Sequence, residues 1–427
     1  MRTWHSGLRE DTLDIYSIYT RKEGTRMKRY GTFVSDESKT LLQSVRNFVD
    51  REIMPVRLEL DESREACEKV IKKLVDLGMQ KYGLSPKYGG LPIGSAAEYC
   101  AVCEELARGD SGIATEMTCP EWLFGPAMRG RNKVVLEKFM TPFCSDERHT
   151  ACFALTETGG GCNGEDTTQQ GTSLRTTARL DGDEWVINGA KRWPGGAGVA
   201  EIYGVLCTTD PELGEEGVAL IYVPDGLPGL TFGKPENKLG MRFSDVNADI
   251  YFDNVRVPKE YRAAGPGEDW RLFRGALSWG RLSSSGFAIG NAQAVLESVI
   301  DYTANRFYKG KSVREHTLQA AMIADMAMGI ESARAYYLSV ASMFDRRDEF
   351  GDPGDSYLMG KATGSKVYAC DVTEMVCNKG MELMGAYGYI KEYHVEKYLR
   401  DFKIIQIWEG GGQLGRLEVA NGYYPVG

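Results

Sequence analysis

The sequence predicts an α+β protein with three successive lobes, in which two helical regions enclose a region of short strands. The chain has 427 residues, enough for about three domains at roughly 150 residues each. Apolar residues recur at helical spacing up to residue 148 and again after Pro266. Between these regions, short apolar runs are separated by Gly, Pro, Asn and Asp, which is typical of β structure.

The first helical region is predicted to begin at Ser35. Residues 35–38, Ser-Asp-Glu-Ser, resemble a helix start. Apolar side chains then follow at i, i+3 and i+4 intervals: Leu41, Leu42, Val45, Phe48 and Val49. The same pattern covers residues 67–77 and 96–106, and a turn rich in Pro and Gly at 86–92 separates these two helices. We therefore predict a helical N-terminal domain.

The middle region is predicted to form strands because the apolar period changes near His149. Short apolar segments recur at about ten-residue spacing, with no helical pattern between them. These segments are residues 153–156, 176–180, 184–187, 202–206 and 246–252. Such spacing indicates an antiparallel barrel or sandwich.

The C-terminal region is predicted to form a bundle of long helices. Helical periodicity covers residues 288–306, 317–345, 361–383 and 414–420. The predicted domains are an N-terminal extension at 1–32, an N-terminal α-helical domain at 33–150, a β-barrel domain at 151–268 and a C-terminal helical bundle at 269–427.

The composition excludes several classes of protein. The formal net charge is −9, whereas a nucleic-acid binder needs a basic surface for its phosphate contacts. No apolar run approaches the roughly 20 residues that span a bilayer, and the first residues lack the apolar segment of a secretory signal. Ten cysteines are too sparse for a disulfide scaffold in a chain of this length. We therefore expect a cytoplasmic protein with reduced thiols.

A glycine motif follows the first predicted strand. Gly159, Gly161 and Gly164 satisfy the G-x-G-x-x-G spacing of a dinucleotide fingerprint, but that fingerprint requires a helix after the last glycine. More strand-like sequence follows here, so a Rossmann site is rejected. Two interpretations remain, namely a plain turn or a loop whose backbone N–H groups bind an anion.

The cysteines and histidines do not predict a metal site. Cys100 and Cys103 lie on a helical pattern without a second pair, and the four histidines are dispersed along the chain. Cys370 and Cys377 also share one face of a predicted helix. We expect all four cysteines to be small core residues.

The most informative candidate for catalysis is Glu409. It follows the apolar run at 404–408 and precedes three glycines. Burial disfavours the charged form of a carboxylate, so an apolar setting raises its pKa toward the range that is useful for a general base. The alternative interpretation is a surface glutamate at the start of a loop.

Together, these segments resemble the acyl-CoA dehydrogenase family. The resemblance is carried by residues 153–157, 187–193, 239–245, 252–258, 305–306, 384–388, 400–403 and 409–410. They follow the family's order from about residue 35 to residue 424. The resemblance implies an N-terminal α-helical domain, a central antiparallel β-barrel domain and a C-terminal four-helix bundle, assembled as a homotetramer with bound FAD.

The resemblance also implies roles for individual residues. Cofactor contacts are implied for Phe153, Leu155, Thr156, Gly161, Cys162 and Trp193, and for Arg306 and Gln413 toward the FAD of a partner chain. Substrate contacts are implied for Cys162, Arg281, Trp408 and Gly410. Glu409 takes the place of the catalytic base. Gly280 lies where some subfamilies carry the base instead, and it has no carboxylate.

The implied activity is α,β-dehydrogenation of an acyl-CoA thioester, with FAD as hydride acceptor and an electron-transfer flavoprotein as electron acceptor. Two alternatives stay open, namely a decarboxylating or oxygen-using relative and a non-catalytic acyl-CoA-binding paralogue. Glu409 disfavours the second alternative, because such a paralogue has no need of a base.

Several glycines depart from the family pattern. Gly195 replaces a threonine that the family usually has near the flavin, and Gly411 and Gly412 replace Thr-Ser. Loss of these side chains suggests a roomier site for a cyclic, branched or aryl-substituted acyl group, unless the chain closes in around them. Trp122, Trp279 and Trp408 are candidates for an aromatic pocket wall.

Overall fold

The computed structural model describes residues 27–162, 164, 166 and 170–424, which form two helical domains around a sheet domain, as the sequence predicts. Residues 1–26 of the predicted N-terminal extension lie outside the described residues. The rest of that extension begins with a helical turn at Met27–Tyr30, and Tyr30 is fully buried. Its hydroxyl donates to Glu105 over 2.8 Å. Tyr30 of the predicted extension is therefore part of the N-terminal core.

The N-terminal domain contains four main helices. They are α1 (Asp36–Phe48), α2 (Arg64–Asp76), α3 (Ala96–Gly109) and α4 (Ser111–Gly130). Each helix begins with an N-cap side chain that accepts a hydrogen bond from a backbone N–H of the first turn. These N-cap residues are Ser35, Ser63, Ser95 and Asp110. Helix α4 was not predicted, because Pro120 and Pro126 lie inside it and nearly all of its faces are buried. A helix without a solvent face shows no amphipathic period.

The central domain is a seven-stranded sheet. Its strands are β1 (Ala151–Ala154), β2 (Thr177–Asp181), β3 (Glu184–Lys191), β4 (Ile202–Thr208), β5 (Val218–Pro224), β6 (Leu230–Phe232) and β7 (Ile250–Pro258). The order is β1-β4-β2-β3-β7-β6, with β5 on β4. The β2–β3, β3–β7, β4–β5 and β6–β7 pairs are antiparallel, as predicted. Strand β7 begins four residues later than the predicted segment at 246–252.

Strand β1 runs parallel to β4, with Ala151 opposite Ile202. A short parallel bridge also joins β2 to β4 at Thr177 and Thr208. The sequence did not reveal these pairings, because only strands joined by a tight hairpin must be antiparallel. The connection after β1 is long and leaves the strand direction free, and Leu155 and Thr156 at its start line the cavity described below.

The C-terminal domain contains five main helices. They are α5 (Glu268–Asn305), α6 (Thr317–Phe344), α7 (Ser356–Met384), α8 (Val395–Ile407) and α9 (Gly411–Asn421). Helix α5 starts twenty residues before the periodic segment because its first half is buried on nearly every face. It packs against α3, α6 and α7. The bundle predicted from the sequence is therefore confirmed, with α5 as its central helix.

The close contact between α5 and α3 depends on two glycines. A Cβ on Gly286 would lie 2.4 Å from the carbonyl oxygen of Cys100, and one on Gly290 would lie 2.3 Å from that of Glu104. The backbones of the two helices thus meet where a side chain has no space. Cys100 and Cys103 are buried free thiols, as are Cys370 and Cys377. No helix among the described residues is long and apolar enough to cross a membrane.

Candidate active site

A cavity lies between the helical domains and the sheet domain. Its helical wall carries five aromatic side chains: Tyr99, Trp122, Trp279, Phe287 and Trp408. Its other wall carries four residues from β1 and the segments beside it: Phe153, Leu155, Thr156 and Trp193. The rings of Trp122 and Phe153 are 4.6 Å apart, so the two walls meet. Glu409 lines the same cavity, and the three tryptophans singled out in the sequence are all on its wall.

Glu409 lies in the turn between α8 and α9. Its φ is +55°, and Gly410 follows with φ +101°. Left-handed backbone is uncommon for a residue with a Cβ, so the surrounding contacts must hold it. The turn reverses the chain directly after Trp408, the C-cap residue of α8. It brings the Glu409 side chain against α5 and α7.

The two oxygens of the Glu409 carboxylate have different surroundings. Oε2 accepts a hydrogen bond from the Ser284 hydroxyl at 3.0 Å, and Ser284 Oγ accepts one from the Trp408 indole N–H at 2.9 Å. Lys366 Nζ is 3.9 Å from Oε2. No hydrogen bond to Oε1 is found among the described residues. Oε1 is thus the oxygen that is available to a ligand.

Two buried cations hold the backbone of this turn. Arg281 Nε donates to the carbonyl of Glu409 at 3.0 Å, and Lys366 Nζ donates to the carbonyl of Trp408. Arg281 is fully buried and also donates to Thr363. The expectation that Arg281 contacts substrate is therefore corrected: its guanidinium is buried behind Glu409, outside the cavity lining, and it also faces Glu418 Oε2 at 3.6 Å.

The protonation equilibrium of Glu409 is shifted in the direction that the sequence predicts. Burial raises the pKa of its carboxyl, while the charges of Lys366 and Arg281 and the Ser284 hydrogen bond oppose part of the rise. The side chain is 12% exposed. A buried carboxylate with a raised pKa, and with one oxygen that accepts no hydrogen bond from the described residues, can accept a proton from a bound ligand.

Gly280 lies directly beneath this carboxylate. A Cβ at position 280 would be 2.5 Å from Glu409 Oε1 and 2.5 Å from Trp122 Nε1. The carboxylate therefore rests on the bare backbone of α5, and a side chain at 280 cannot be present together with Glu409 in this position.

The glycines at 195 and 196 do not enlarge the site. A Cβ on Gly195 would lie 2.4 Å from Oδ1 of Asp245, and one on Gly196 would lie 2.6 Å from the carbonyl oxygen of Ala151. Asp245 lines the cavity and is held by Lys238, whose Nζ is 3.3 Å from Oδ2. The expectation of a roomier site is therefore wrong here, because the chain closes in and a carboxylate fills the space.

Sequence models of three acyl-CoA dehydrogenase domains match the chain in succession. The N-terminal domain matches residues 35–147, the middle domain residues 152–255 and the C-terminal domain residues 267–423. The chain belongs to the acyl-CoA dehydrogenase family. Members of this family are FAD-dependent oxidoreductases that act on the CH–CH bond of acyl-CoA, and the protein is an enzyme of this class.

Individual acyl-CoA dehydrogenases are similar over most of their length. The mitochondrial short-chain specific acyl-CoA dehydrogenase of Homo sapiens is 31% identical over 381 residues, which cover 89% of this chain and 88% of the relative. A probable acyl-CoA dehydrogenase of Mycobacterium tuberculosis is 32% identical over 383 residues, covering 90% and 94%. The structure of butyryl-CoA dehydrogenase from Megasphaera elsdenii has 27% identity and a TM-score of 0.82, covering 92% and 99%.

The cavity of this acyl-CoA dehydrogenase fits the ring system of FAD. Phe153 and Leu155 present apolar surface, and Thr156 adds a hydroxyl. Trp193 lines the cavity and has a φ of +56°. It is 57% exposed, although its indole N–H donates to Glu236 at 3.0 Å. A large indole that is held in place but exposed suits stacking against a planar aromatic ring.

Other expected ligand contacts lie outside the cavity lining. Gly161 is exposed in the glycine turn, whereas Cys162 is only 4% exposed and packs in the core of the sheet domain. A contact through the Cys162 side chain is thus corrected, because the thiol is buried as a small apolar group. Arg306 and Gln413 are exposed, and Gly410 lies behind Glu409 in the turn.

Sequence reasoning missed the residues that hold the base. Ser284 and Lys366 lie on α5 and α7, far from Glu409 in sequence. A weak signal existed for Ser284, since it is one helical turn after Gly280 and therefore on the same face of α5. Nothing in the sequence distinguished Lys366 from an ordinary surface lysine, and Asp245 and Tyr99 were likewise not singled out.

Proposed function

We propose that this enzyme oxidises the Cα–Cβ bond of an acyl-CoA thioester, with Glu409 as the base for the α-proton. The main observation in support of this activity is that the Glu409 carboxylate lines one cavity together with Phe153, Thr156 and Trp193. Bound FAD would supply the acceptor for the β-hydrogen, which leaves with its electron pair. A cavity bounded by both groups supports placement of the reacting bond between them, as α,β-dehydrogenation requires.

The proton is transferred to this chain's own carboxylate. Glu409 Oε1 accepts the α-proton while Oε2 keeps its hydrogen bond from Ser284. The backbone N–H of Glu409 donates to no acceptor among the described residues, and it can polarise the thioester carbonyl. Hydrogen bonding to that oxygen stabilises the developing enolate and thereby acidifies the α-C–H.

The aromatic wall supports a compact acyl group that carries a ring or a branch. The rings of Tyr82, Tyr99, Trp279 and Phe344 form a continuous series, with centroid distances of 5.8, 5.1 and 6.0 Å. Closely packed aromatic rings are rigid and cannot easily move aside for a long alkyl chain. We therefore expect cyclic, branched or aryl-substituted thioesters to be better substrates than long linear ones.

Cofactor binding is proposed to need more than one chain. In this proposal Phe153, Leu155, Thr156 and Trp193 contact the flavin ring, and the turn at 161–162 supports the phosphates through its backbone. Arg306 and Gln413 are exposed and outside the cavity, which supports contacts with the FAD of a neighbouring chain in a homotetramer. An electron-transfer flavoprotein then re-oxidises the flavin.

The test is an anaerobic screen of CoA thioesters with the FAD-loaded enzyme. Bleaching of the flavin absorbance is expected with branched, cyclic or aryl-substituted acyl groups, and weaker bleaching with long linear ones. Preference for long linear chains would contradict the proposed acyl class, and bleaching by no thioester would contradict the activity. Oxygen uptake and carbon dioxide release, measured on the same substrates, identify an oxygen-using or decarboxylating enzyme instead.

A further inference from the structure

Lys366 makes two contacts with the segment that carries the base. Its side chain is 2% exposed on α7. Nζ donates to the carbonyl of Trp408, and it lies 3.9 Å from Oε2 of Glu409. One ammonium group therefore contacts both the residue that ends α8 and the carboxylate of the following residue.

Ser284 acts on the same oxygen from the opposite element. Its hydroxyl on α5 donates to Glu409 Oε2 at 3.0 Å and accepts from the Trp408 indole at 2.9 Å. Trp408 is thus held by Lys366 at its carbonyl and by Ser284 at its ring. Glu409 Oε1, by contrast, lies over Gly280, on the same side as the Trp122 indole, and no hydrogen bond to it is found among the described residues.

We propose that Lys366 is a positioning residue that, with Ser284, engages Oε2 of Glu409 and so makes Oε1 the proton acceptor and lowers the proton affinity of the carboxylate. This inference rests on the proposed function of Glu409. A positive charge about 4 Å away stabilises the ionised form, which a base must adopt before it can react. Without it, burial would keep the carboxyl protonated up to a higher pH.

Among the described residues, Lys366 is the cation that lies within ion-pair distance of Glu409 Oε2. Arg281 on α5 contacts the carbonyl of Glu409 and not its carboxylate. Cys370 on α7 is buried, which raises the pKa of its thiol to about 12 and leaves it neutral. Glu116 and Asp245 line the same cavity, and neither carries a positive charge that could act in place of Lys366. Lys366 and Arg281 are the cations that lower its pKa.

The decisive measurement is the titration of the Glu409 carboxyl in the FAD-loaded enzyme without substrate. Difference infrared spectra between the enzyme and Glu409→Gln isolate the C=O stretch of the protonated acid as a function of pH. In Lys366→Met the midpoint is expected to rise by about one pH unit, and the acid limb of kcat/KM is expected to move equally. Lys366→Arg is expected to restore the midpoint.

Matched controls separate this role from simple support of the fold. Lys361→Met removes a lysine from the same helix, where it contacts Tyr423, and is expected to leave the midpoint unchanged. If Lys366→Met does not fold, Lys366→Gln removes the charge and keeps an N–H donor for Trp408. A wild-type midpoint in either variant overturns the proposal. The infrared titration needs no turnover, so it stays informative even if no thioester is oxidised.

Ser284→Ala provides an independent test of the preference between the two oxygens. It is expected to raise the same midpoint, because the ionised form loses a hydrogen bond, and to lower kcat more than it raises KM. Ser298→Ala, which removes a hydroxyl that bonds only to a helix carbonyl in α5, is the matched control. An unchanged midpoint and an unchanged kcat in Ser284→Ala would contradict the role given to Oε2.

Discussion

At the scale of single residues, the sequence predicts a reactive side chain more readily than the buried side chains that hold it in place. The apolar run before Glu409 makes it a candidate base, and the family resemblance implies that role for Glu409 and a substrate contact for Trp408. Arg281 was placed on the substrate, yet it is buried behind the base. Buried cations that bind a backbone carbonyl look the same in sequence as cations that bind a ligand, because the difference lies in tertiary contacts.

The first prediction concerns the base. Glu409→Gln keeps the shape of the side chain but cannot accept a proton, so turnover is expected to fall by about 10²- to 10⁴-fold. Bound FAD, measured by its absorbance per chain, is expected to be unchanged. Glu382→Gln, an exposed position on α7, is the matched control. Near-normal activity of Glu409→Gln would place the base elsewhere.

The second prediction concerns Glu121, whose side chain is buried near the aromatic wall and whose Oε2 has no hydrogen-bond partner among the described residues. Burial raises the pKa of this carboxyl to about 7, with Arg129 opposing part of the rise. Its usual pKa is about 4.3 when unfolded. The native state therefore binds the proton more tightly, and stability from this group is lost as the pH rises through about 7.

Glu121→Gln removes that ionisation. Its melting temperature relative to the unmodified enzyme is expected to increase between about pH 5 and about pH 8, because only the unmodified enzyme must bury a charge at the higher pH. Glu382→Gln should show no such trend. A melting-temperature difference that is the same at both pH values would mean that Glu121 does not titrate in this range.

At the scale of elements, helices with a clear N-terminal cap were predicted well. Helices α1 and α2 begin within a few residues of their predicted starts, because each has a polar face and a capping serine. Helix α3 is buried along its whole length, but Ser95 caps it and its start was also predicted. Helix α4 and the first half of α5 lack a polar face and so lack a period. The parallel placement of β1 depends on contacts with a strand about fifty residues away, which no local pattern reports.

The third prediction concerns the glycine contact between α5 and α3. Gly290→Ala places a Cβ 2.3 Å from the carbonyl oxygen of Glu104 and 2.9 Å from the backbone nitrogen of Arg108. Alanine favours a helix by about 1 kcal/mol over glycine, but the clash with backbone should dominate and lower the free energy of unfolding by about 1–3 kcal/mol. Urea unfolding measures the change.

Gly275→Ala is the control for that experiment. It lies in the same helix, and its Cβ would meet nothing closer than Arg129 Nη2 at 3.7 Å. We expect unchanged or slightly increased stability, because the gain in helix propensity is not opposed by a clash. If both variants lose the same stability, the cause is not the close approach of the two backbones.

At the scale of the whole molecule, the three-domain order was evident from the change of apolar period alone, and the three domain matches confirm it. Arg306 is exposed and lies over the ring of Tyr387, 5.8 Å from its centroid. Its proposed partner is the FAD of another chain.

The fourth prediction tests this assembly. Arg306→Ala is expected to lower the FAD retained per chain after gel filtration, because the proposed contact with the pyrophosphate is lost, while light scattering still shows a tetramer. Arg314→Ala, at an exposed position nearby, is the control and should retain FAD. A monomeric enzyme with full FAD content in Arg306→Ala would contradict an intersubunit contact.

The left-handed backbone at Glu409 has a consequence for variation of this enzyme. A side chain costs about 1–2 kcal/mol in that conformation, and glycine would avoid the cost while also removing a buried charge. Selection for heat resistance alone should therefore enrich glycine at 409 among inactive survivors. The protein thus gives up part of its folding stability at the position of the proposed base. Selection of variants for thermal stability therefore requires a screen for activity at the same time.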